Sequence, residues 1–234
     1  MSMFVGAYWG PREEDIEGCA ARVMDFFRRL SSISPFWARW YNIRRTRRNA
    51  SKSSMNLASK KVIIELLDQG RNRGDTDNSI IEDLGFRVGL WNGEKKDRDA
   101  SVNVHCGAYH PHSGNSVLIY LPRGVPELIA PEPCAALLEA VVRSFEPEWG
   151  VVSSGATRSA LQKKVGVPFV DWIFYHNQCD LDASKLPTSA SYKIIDTLGT
   201  IVVVQDRPID PTNQQDLANV RMVAAALNVG QSTA

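Results

Sequence analysis

The stretch FRVGLWNGEKKDRDASVNVHCGAYHPHSGNSVLIYL, residues 86–121, contains the clearest strand pattern in the chain. Apolar residues alternate with polar or small ones in three short runs, which begin at Phe86, Ser101 and Val117. The pair Asn92-Gly93 ends the first run with residues that tolerate positive φ, which favours a turn. The stretch therefore predicts an antiparallel three-strand meander with one apolar face, and that face needs helices packed against it.

Helical spacing outside this stretch supplies candidates for those helices. Apolar residues recur at the period of one helix face between Ile16 and Leu30, and Pro11 is expected at the first helical position. Similar spacing predicts helices over residues 55–67 and 134–145. Asp210 followed by a proline predicts the start of a last helix.

Further strand patterns lie on both sides of the meander. Short apolar runs at residues 4–8, 149–152 and 169–175 predict strands, and residues 192–205 predict a hairpin that turns at Leu198-Gly199. Strands interrupted by helices, with hairpin connections, indicate the α+β class. We expect a single domain over residues 1–234, with a largely antiparallel sheet, the meander, a C-terminal hairpin and amphipathic helices packed on it.

Composition excludes several classes of protein. The chain has 234 residues, a net charge of +1 and 44% hydrophobic residues, which is ordinary for a globular protein. The N-terminus lacks the pattern of a signal peptide and no apolar run approaches a membrane span, so the expected compartment is the cytoplasm. Four cysteines lie far apart, which indicates buried thiols instead of a disulfide framework.

Charge is unevenly distributed along the chain. Residues 1–61 carry 12 Lys+Arg and 5 Asp+Glu, a balance of +7, whereas residues 62–234 carry 15 and 21, a balance of −6. The basic aromatic segment Trp37–Lys61 contains the cluster Arg44, Arg45, Arg47 and Arg48. Such a segment either grips phosphates and stacks on bases, which would make the protein a nucleic-acid-binding accessory protein, or forms a solvated loop that meets an acidic partner. The aromatic residues precede the arginines at helical spacing, which favours the loop.

No catalytic or metal-binding constellation is evident. His105, His110 and His112 lie near Cys106, but neighbouring residues of a strand point to opposite faces, so His105 and Cys106 cannot share a metal ion. Two imidazoles without a third ligand make a weak site. The sequence carries no nucleophile-elbow or phosphate-loop pattern. We therefore expect no catalytic residues, no bound metal and no cofactor.

The order of several short motifs resembles the immunity protein 52 family. The residues that carry the resemblance are Ala7-Tyr8-Trp9-Gly10-Pro11-Arg12-Glu13, Phe36 to Tyr41, Gly70-Arg71-Asn72-Arg73, Gly85-Phe86, Leu90-Trp91-Asn92-Gly93, Cys106-Gly107, Asn115 to Pro122 and Trp172. They span most of the chain. We interpret these motifs as residues with structural roles in the family, not as residues of an active site.

The resemblance implies a binding function. Members of that family belong to bacterial polymorphic-toxin loci, including type VI secretion systems, and neutralise a toxin that commonly carries a restriction-endonuclease-like domain. A nuclease presents a cationic groove, so carboxylates are natural contacts for it. We expect either the acids Glu13, Glu14, Asp15 and Glu17, or the loop acids Asp75 and Asp77, to meet the toxin. The alternative for the first group is purely structural, because the helix macrodipole alone favours acids in a first turn.

Overall fold

The computed structural model describes residues 2–42, 54–161, 167–178 and 181–229. The helices in these ranges are α1 (Ile16–Ile33), α2 (Lys60–Gln69), α3 (Pro131–Phe145), α4 (Gly155–Ala160) and α5 (Gln214–Ala226). The strands are β1 (Met3–Trp9), β2 (Tyr41–Asn42), β3 (Phe86–Trp91), β4 (Ser101–Cys106), β5 (Asn115–Tyr120), β6 (Trp149–Ser154), β7 (Ile173–His176), β8 (Ser191–Ile195) and β9 (Gly199–Val203). None of the described helices is long and apolar enough to cross a membrane.

The described strands form one antiparallel sheet with the order β2-β3-β4-β5-β1-β6-β7-β9-β8. Strands β3, β4 and β5 are the predicted meander, and β8 and β9 are the predicted C-terminal hairpin. The N-terminal strand β1 lies between β5 and β6 and so joins the two halves of the sheet. The α+β class and the antiparallel sheet are confirmed.

Helices α1 and α3 pack against each other, and α3 lies across the centre of the sheet. The approach is close, because a Cβ at Gly150 of β6 would lie 2.7 Å from Cδ1 of Leu138 in α3. The ring of Phe145 packs between helix and sheet, with its centroid 5.6 Å from those of Trp9 and Phe26. The amphipathic faces read from the sequence therefore form the main core.

The opposite face of the sheet differs between its two halves. In β6, β7 and β9 the residues on this face are also buried, for example Val151, Phe174 and Val202. In β3 and β4 the residues on this face include the exposed Arg87 and Asn103. The meander thus has the single apolar face that its alternation predicted.

Three predicted helix starts are wrong, because hydrogen bonds hold the residues before each helix in extended or turn conformations. Helix α1 begins at Ile16, not at Pro11, since N of Arg12 donates to the carbonyl of Ala108 at 2.8 Å. The N-cap is Asp15, so of the four predicted acids only Glu17 lies in the first turn.

The last helix likewise begins later than Asp210. Its cap is Asn213, whose side chain accepts from the N–H groups of Gln215 and Asp216. The carboxylate of Asp210 instead accepts from N and Oγ1 of Thr212 and stabilises a turn. Helix α2 also starts late, at Lys60, although it ends before Gly70 as predicted.

Three of the four cysteines agree with the prediction of buried thiols. Cys19, Cys106 and Cys134 are buried and free. Cys179 lies outside the described residues.

Candidate functional site

Three of the four acids near the start of α1 have intramolecular partners. Asp15 accepts a hydrogen bond at 2.7 Å from a backbone N–H of the first turn. Glu14 lies 2.6 Å from Nε of Arg22, and Glu17 lies 2.5 Å from a lysine ammonium at the start of α2. Glu13 is exposed and precedes the helix. Within this group Glu13 is therefore the side chain best placed to contact another protein.

The second predicted acidic group lies in the loop between α2 and β3. Asp77 accepts hydrogen bonds from N and Oγ of Ser79 at 3.1 and 2.8 Å, and these bonds lower the pKa of Asp77. Asp75 is exposed. The same loop continues into Ile80 and Ile81, which are 40% and 37% exposed. It therefore presents carboxylates and large apolar side chains together.

Tyr109 lies beside the segment that follows the second acidic group. Its N–H donates to the carbonyl of Asp83 at 2.9 Å, which ties the β4–β5 loop to the segment before β3. Partial desolvation raises the pKa of Tyr109, and the negative charges of Glu13, Glu82 and Asp83 raise it further. The tyrosine is 38% exposed.

We name this region the acidic loop surface. Its members are Glu13, Asp75, Asp77, Ile80, Ile81, Glu82, Asp83 and Tyr109. Aromatic and aliphatic side chains within a charged rim are typical of protein interfaces. The sequence indicated Glu13, Asp75 and Asp77, but Glu82, Asp83 and Tyr109 were not predicted, because the contact of Tyr109 with Asp83 joins distant segments.

Only part of the basic segment Trp37–Lys61 lies within the described residues. Arg44, Arg45, Arg47 and Arg48 lie outside the described residues. The preceding tryptophans are core residues: Trp37 is 0% and Trp40 1% exposed, and Nε1 of Trp40 donates to the carbonyl of Trp37 at 2.8 Å. Neither indole can stack on a base in this conformation.

The histidines do not assemble a metal site in the described part of the chain. Nε2 of His105 lies 2.8 Å from the carbonyl of Leu84, and burial lowers the pKa of His105. Nδ1 of His110 accepts from N of His112 at 3.2 Å. Among the described residues, no group of three or more His, Cys, Asp or Glu side chains is arranged to hold a metal ion.

The buried thiols and the buried Ser153 hydroxyl are poorly suited to act as nucleophiles. A hydrogen bond with Cys106 and burial raise the pKa of Cys19, and burial raises the pKa of Cys134 to about 12, so both remain neutral thiols. Oγ of Ser153 donates to Oδ2 of Asp171 at 2.5 Å, and burial raises the pKa of Asp171 to about 7. Both residues are at most 1% exposed, so no substrate reaches this pair.

The short motifs near the acidic loop surface have structural roles. The guanidinium of Arg12 lies over the Trp9 ring at 5.2 Å and donates to the carbonyl of Phe145 at 2.8 Å. Nδ2 of Asn72 donates to the carbonyl of Leu84 at 3.1 Å, and Arg73 donates to the carbonyl of Asn78 at 3.2 Å. These contacts fix the segments that carry Glu13 and the loop acids.

The described residues thus define an α+β protein whose best candidate site is the acidic loop surface. The family comparison agrees with this class. The chain belongs to the immunity protein 52 family, whose model matches residues 2–231. Membership supports an immunity role and suggests a non-enzymatic one.

A solved structure has the same fold. The type VI secretion system (T6SS) protein PA0821 of Pseudomonas aeruginosa is similar with a TM-score of 0.56 and 14% sequence identity, over 97% of this chain and 72% of that chain. At this identity the likeness concerns the fold alone. No curated protein matches the sequence.

Proposed function

We propose that this protein is a cytoplasmic immunity protein that binds a cognate toxin stoichiometrically and so neutralises it. The toxin is a restriction-endonuclease-like nuclease of a type VI secretion system or a related polymorphic-toxin system. The observation that carries the proposal is the family match over residues 2–231. The fold shared with a T6SS protein is consistent with it.

The acidic loop surface is the proposed toxin-binding region. A nuclease that binds DNA carries a cationic groove, and carboxylates around exposed apolar anchors complement such a groove. Of the acids predicted from the sequence, Glu13, Asp15, Glu17, Asp75 and Asp77 are exposed, but Asp15 and Glu17 are engaged in contacts within the N-terminal half of the chain. Glu14, Asp15 and Glu17 support the surface through their intramolecular contacts.

Co-expression with the product of the adjacent candidate toxin gene tests the function. We expect a stable complex on size-exclusion chromatography and loss of DNA degradation in the presence of the chain. The proposal is wrong if no neighbouring protein forms a complex while the isolated chain binds DNA or RNA. That result would favour the basic segment Trp37–Lys61 and a nucleic-acid-binding role.

Charge reversal tests the surface separately from the function. The variant Glu13→Lys/Asp75→Lys/Glu82→Lys changes three exposed acids of the acidic loop surface. We expect at least a tenfold loss of toxin affinity and a slower association rate that no longer falls with salt.

A matched control lies at the opposite end of the same strands. Glu94→Lys/Asp99→Lys/Glu127→Lys makes the same change in net charge on exposed residues of the loops that follow β3 and β5. It should retain wild-type affinity. Equal weakening by both variants would show that net charge, and not the acidic loop surface, governs binding.

A further inference from the structure

Strand β8 is an edge strand with an exposed apolar face. It pairs only with β9 among the described strands, and its first four residues are exposed. The opposite edge of the sheet, β2, has two residues. An edge strand presents unpaired backbone N–H and C=O groups, which accept a further strand.

The side chains of β8 also favour pairing with a further strand. Tyr192 is 49% and Ile194 59% exposed, and they are the two most exposed large apolar residues in the described part of the chain. Both lie on the face opposite α3, since they alternate with Lys193. A lysine commonly protects an edge strand, but Nζ of Lys193 is held 2.5 Å from the carboxylate of Glu139 in α3.

The sequence of β8 is complementary to itself in one register. If a twofold axis perpendicular to the sheet passes through Lys193, the two copies of β8 pair antiparallel. The same face of each sheet then points to the same side. This pairing places Tyr192 opposite Ile194 of a second copy, and Ile194 opposite that copy's tyrosine. Aromatic and β-branched side chains make favourable cross-strand pairs. The two central lysines would meet with their charges already paired to Glu139, which reduces their repulsion.

We infer that β8 pairs with β8 of a second copy of this chain, so that two nine-stranded sheets join into one. A second copy fits this edge because a single strand supplies both members of each apolar pair. The contact involves five residues from each chain, which is below the size of a permanent interface. The dimer is therefore weak and depends on protein concentration.

Sedimentation of the full chain across low to high micromolar concentration tests the inference. We expect the wild-type protein to shift from monomer to dimer. Tyr192→Lys/Ile194→Lys places like charges opposite each other and should remain monomeric. Tyr192→Glu/Ile194→Lys removes the same apolar groups but places opposite charges across the axis, so it should dimerise in low salt and dissociate in high salt.

Two exposed apolar residues elsewhere provide the control. Tyr120→Lys/Met222→Lys changes side chains that are 42% and 47% exposed and should leave the dimer unchanged. All substituted positions are exposed, so circular dichroism and thermal melting should report folded variants.

Cysteine crosslinking tests the register directly. Lys193→Cys places a thiol on the twofold axis and should form a disulfide-linked dimer on mild oxidation, whereas Thr197→Cys in the adjoining turn should not. A wild-type protein that stays monomeric throughout, or a dimer that persists in Tyr192→Lys/Ile194→Lys, would overturn the inference. If the wild-type protein is monomeric and Tyr192→Lys/Ile194→Lys abolishes toxin binding, the edge of β8 would instead bind a strand of the toxin.

Discussion

Asp171 makes the stability of this protein depend on pH in a way that one substitution can remove. Its carboxylate accepts from Oγ of Ser153 at 2.5 Å and from N of Trp172 at 2.7 Å, and it is 1% exposed. No cationic side chain in the described ranges pairs with it. Asp171→Asn keeps the shape of the side chain but removes the charge at every pH.

The magnitude follows from the shift in pKa. Burial raises the pKa of Asp171 from 3.8 to about 7, so the folded protein holds this proton more tightly than the unfolded chain does. The resulting stabilisation is fully present below the unfolded pKa and is lost as the pH rises through about 7. Between about pH 5 and about pH 8 the loss amounts to about 2.5 kcal/mol. The variant should not show this loss.

Urea unfolding of the wild type and the variant at several pH values measures the difference. We expect the stability of Asp171→Asn, relative to the wild type, to rise by about 2.5 kcal/mol between about pH 5 and about pH 8. Burial lowers the pKa of His105 and His176, but these groups titrate in both proteins and cancel in the comparison. Asp182→Asn, at an exposed acid, is the control. A difference that is the same at all pH values would refute the reasoning.

Three further substitutions test the packing. Phe145→Ala should lower the free energy of unfolding by about 3 to 5 kcal/mol because its buried ring packs on two other aromatic rings. In the same urea titration the exposed control Met222→Ala should stay within about 0.5 kcal/mol of wild type. Gly70→Ala should lower the melting temperature because a Cβ there would lie 1.7 Å from a backbone carbonyl oxygen of β3, whereas Gly155→Ala, in open space, should not. Asn115→Asp should destabilise by more than about 2 kcal/mol, measured by thermal melting, since its Nδ2 donates to two backbone carbonyls at 2.8 and 3.0 Å.

The sequence predicted those parts of the fold that depend on local periodicity. The alternation from Phe86 to Leu121 determined the meander and its exposed face, because period 2 assigns each side chain to one face. The start of α1 was wrong because Pro11 is a good local start signal, whereas the hydrogen bond from N of Arg12 to the carbonyl of Ala108 is a tertiary contact. The start of α5 was wrong because the carboxylate of Asp210 stabilises a turn at Thr212 instead of capping the helix. The order of the strands in the sheet also depends on contacts between residues that are distant in the sequence, so local periodicity does not predict it.

The acidic loop surface was also predicted only in part, because some of its features follow from local sequence and others from tertiary contacts. Exposed carboxylates such as Glu13, in a predicted first helical turn, and Asp75, in a predicted loop, were found from the sequence, because charged residues are usually solvated. Their proximity to Tyr109 was not predicted, because it requires the β4–β5 loop to contact the segment before β3. Asp171 was also missed as a titrating group, although a lone acid within the apolar run Phe169–Phe174 is a recognisable signal of a buried charge.

The strand order separates the proposed toxin-binding surface from the proposed dimer contact at β8. Together the two proposals therefore require a complex of two chains with two toxins. Strand β4, which leads into the loop of Tyr109, lies six strands from β8. At a spacing of about 4.8 Å between strands, the acidic loop surface is about 30 Å from the edge that joins two copies. Neither interface blocks the other, so light scattering at high concentration should find two chains with two toxins, and Tyr192→Lys/Ile194→Lys should give one of each. A wild-type complex of two chains with a single toxin would contradict this arrangement, because it would require the toxin to bind across the twofold axis.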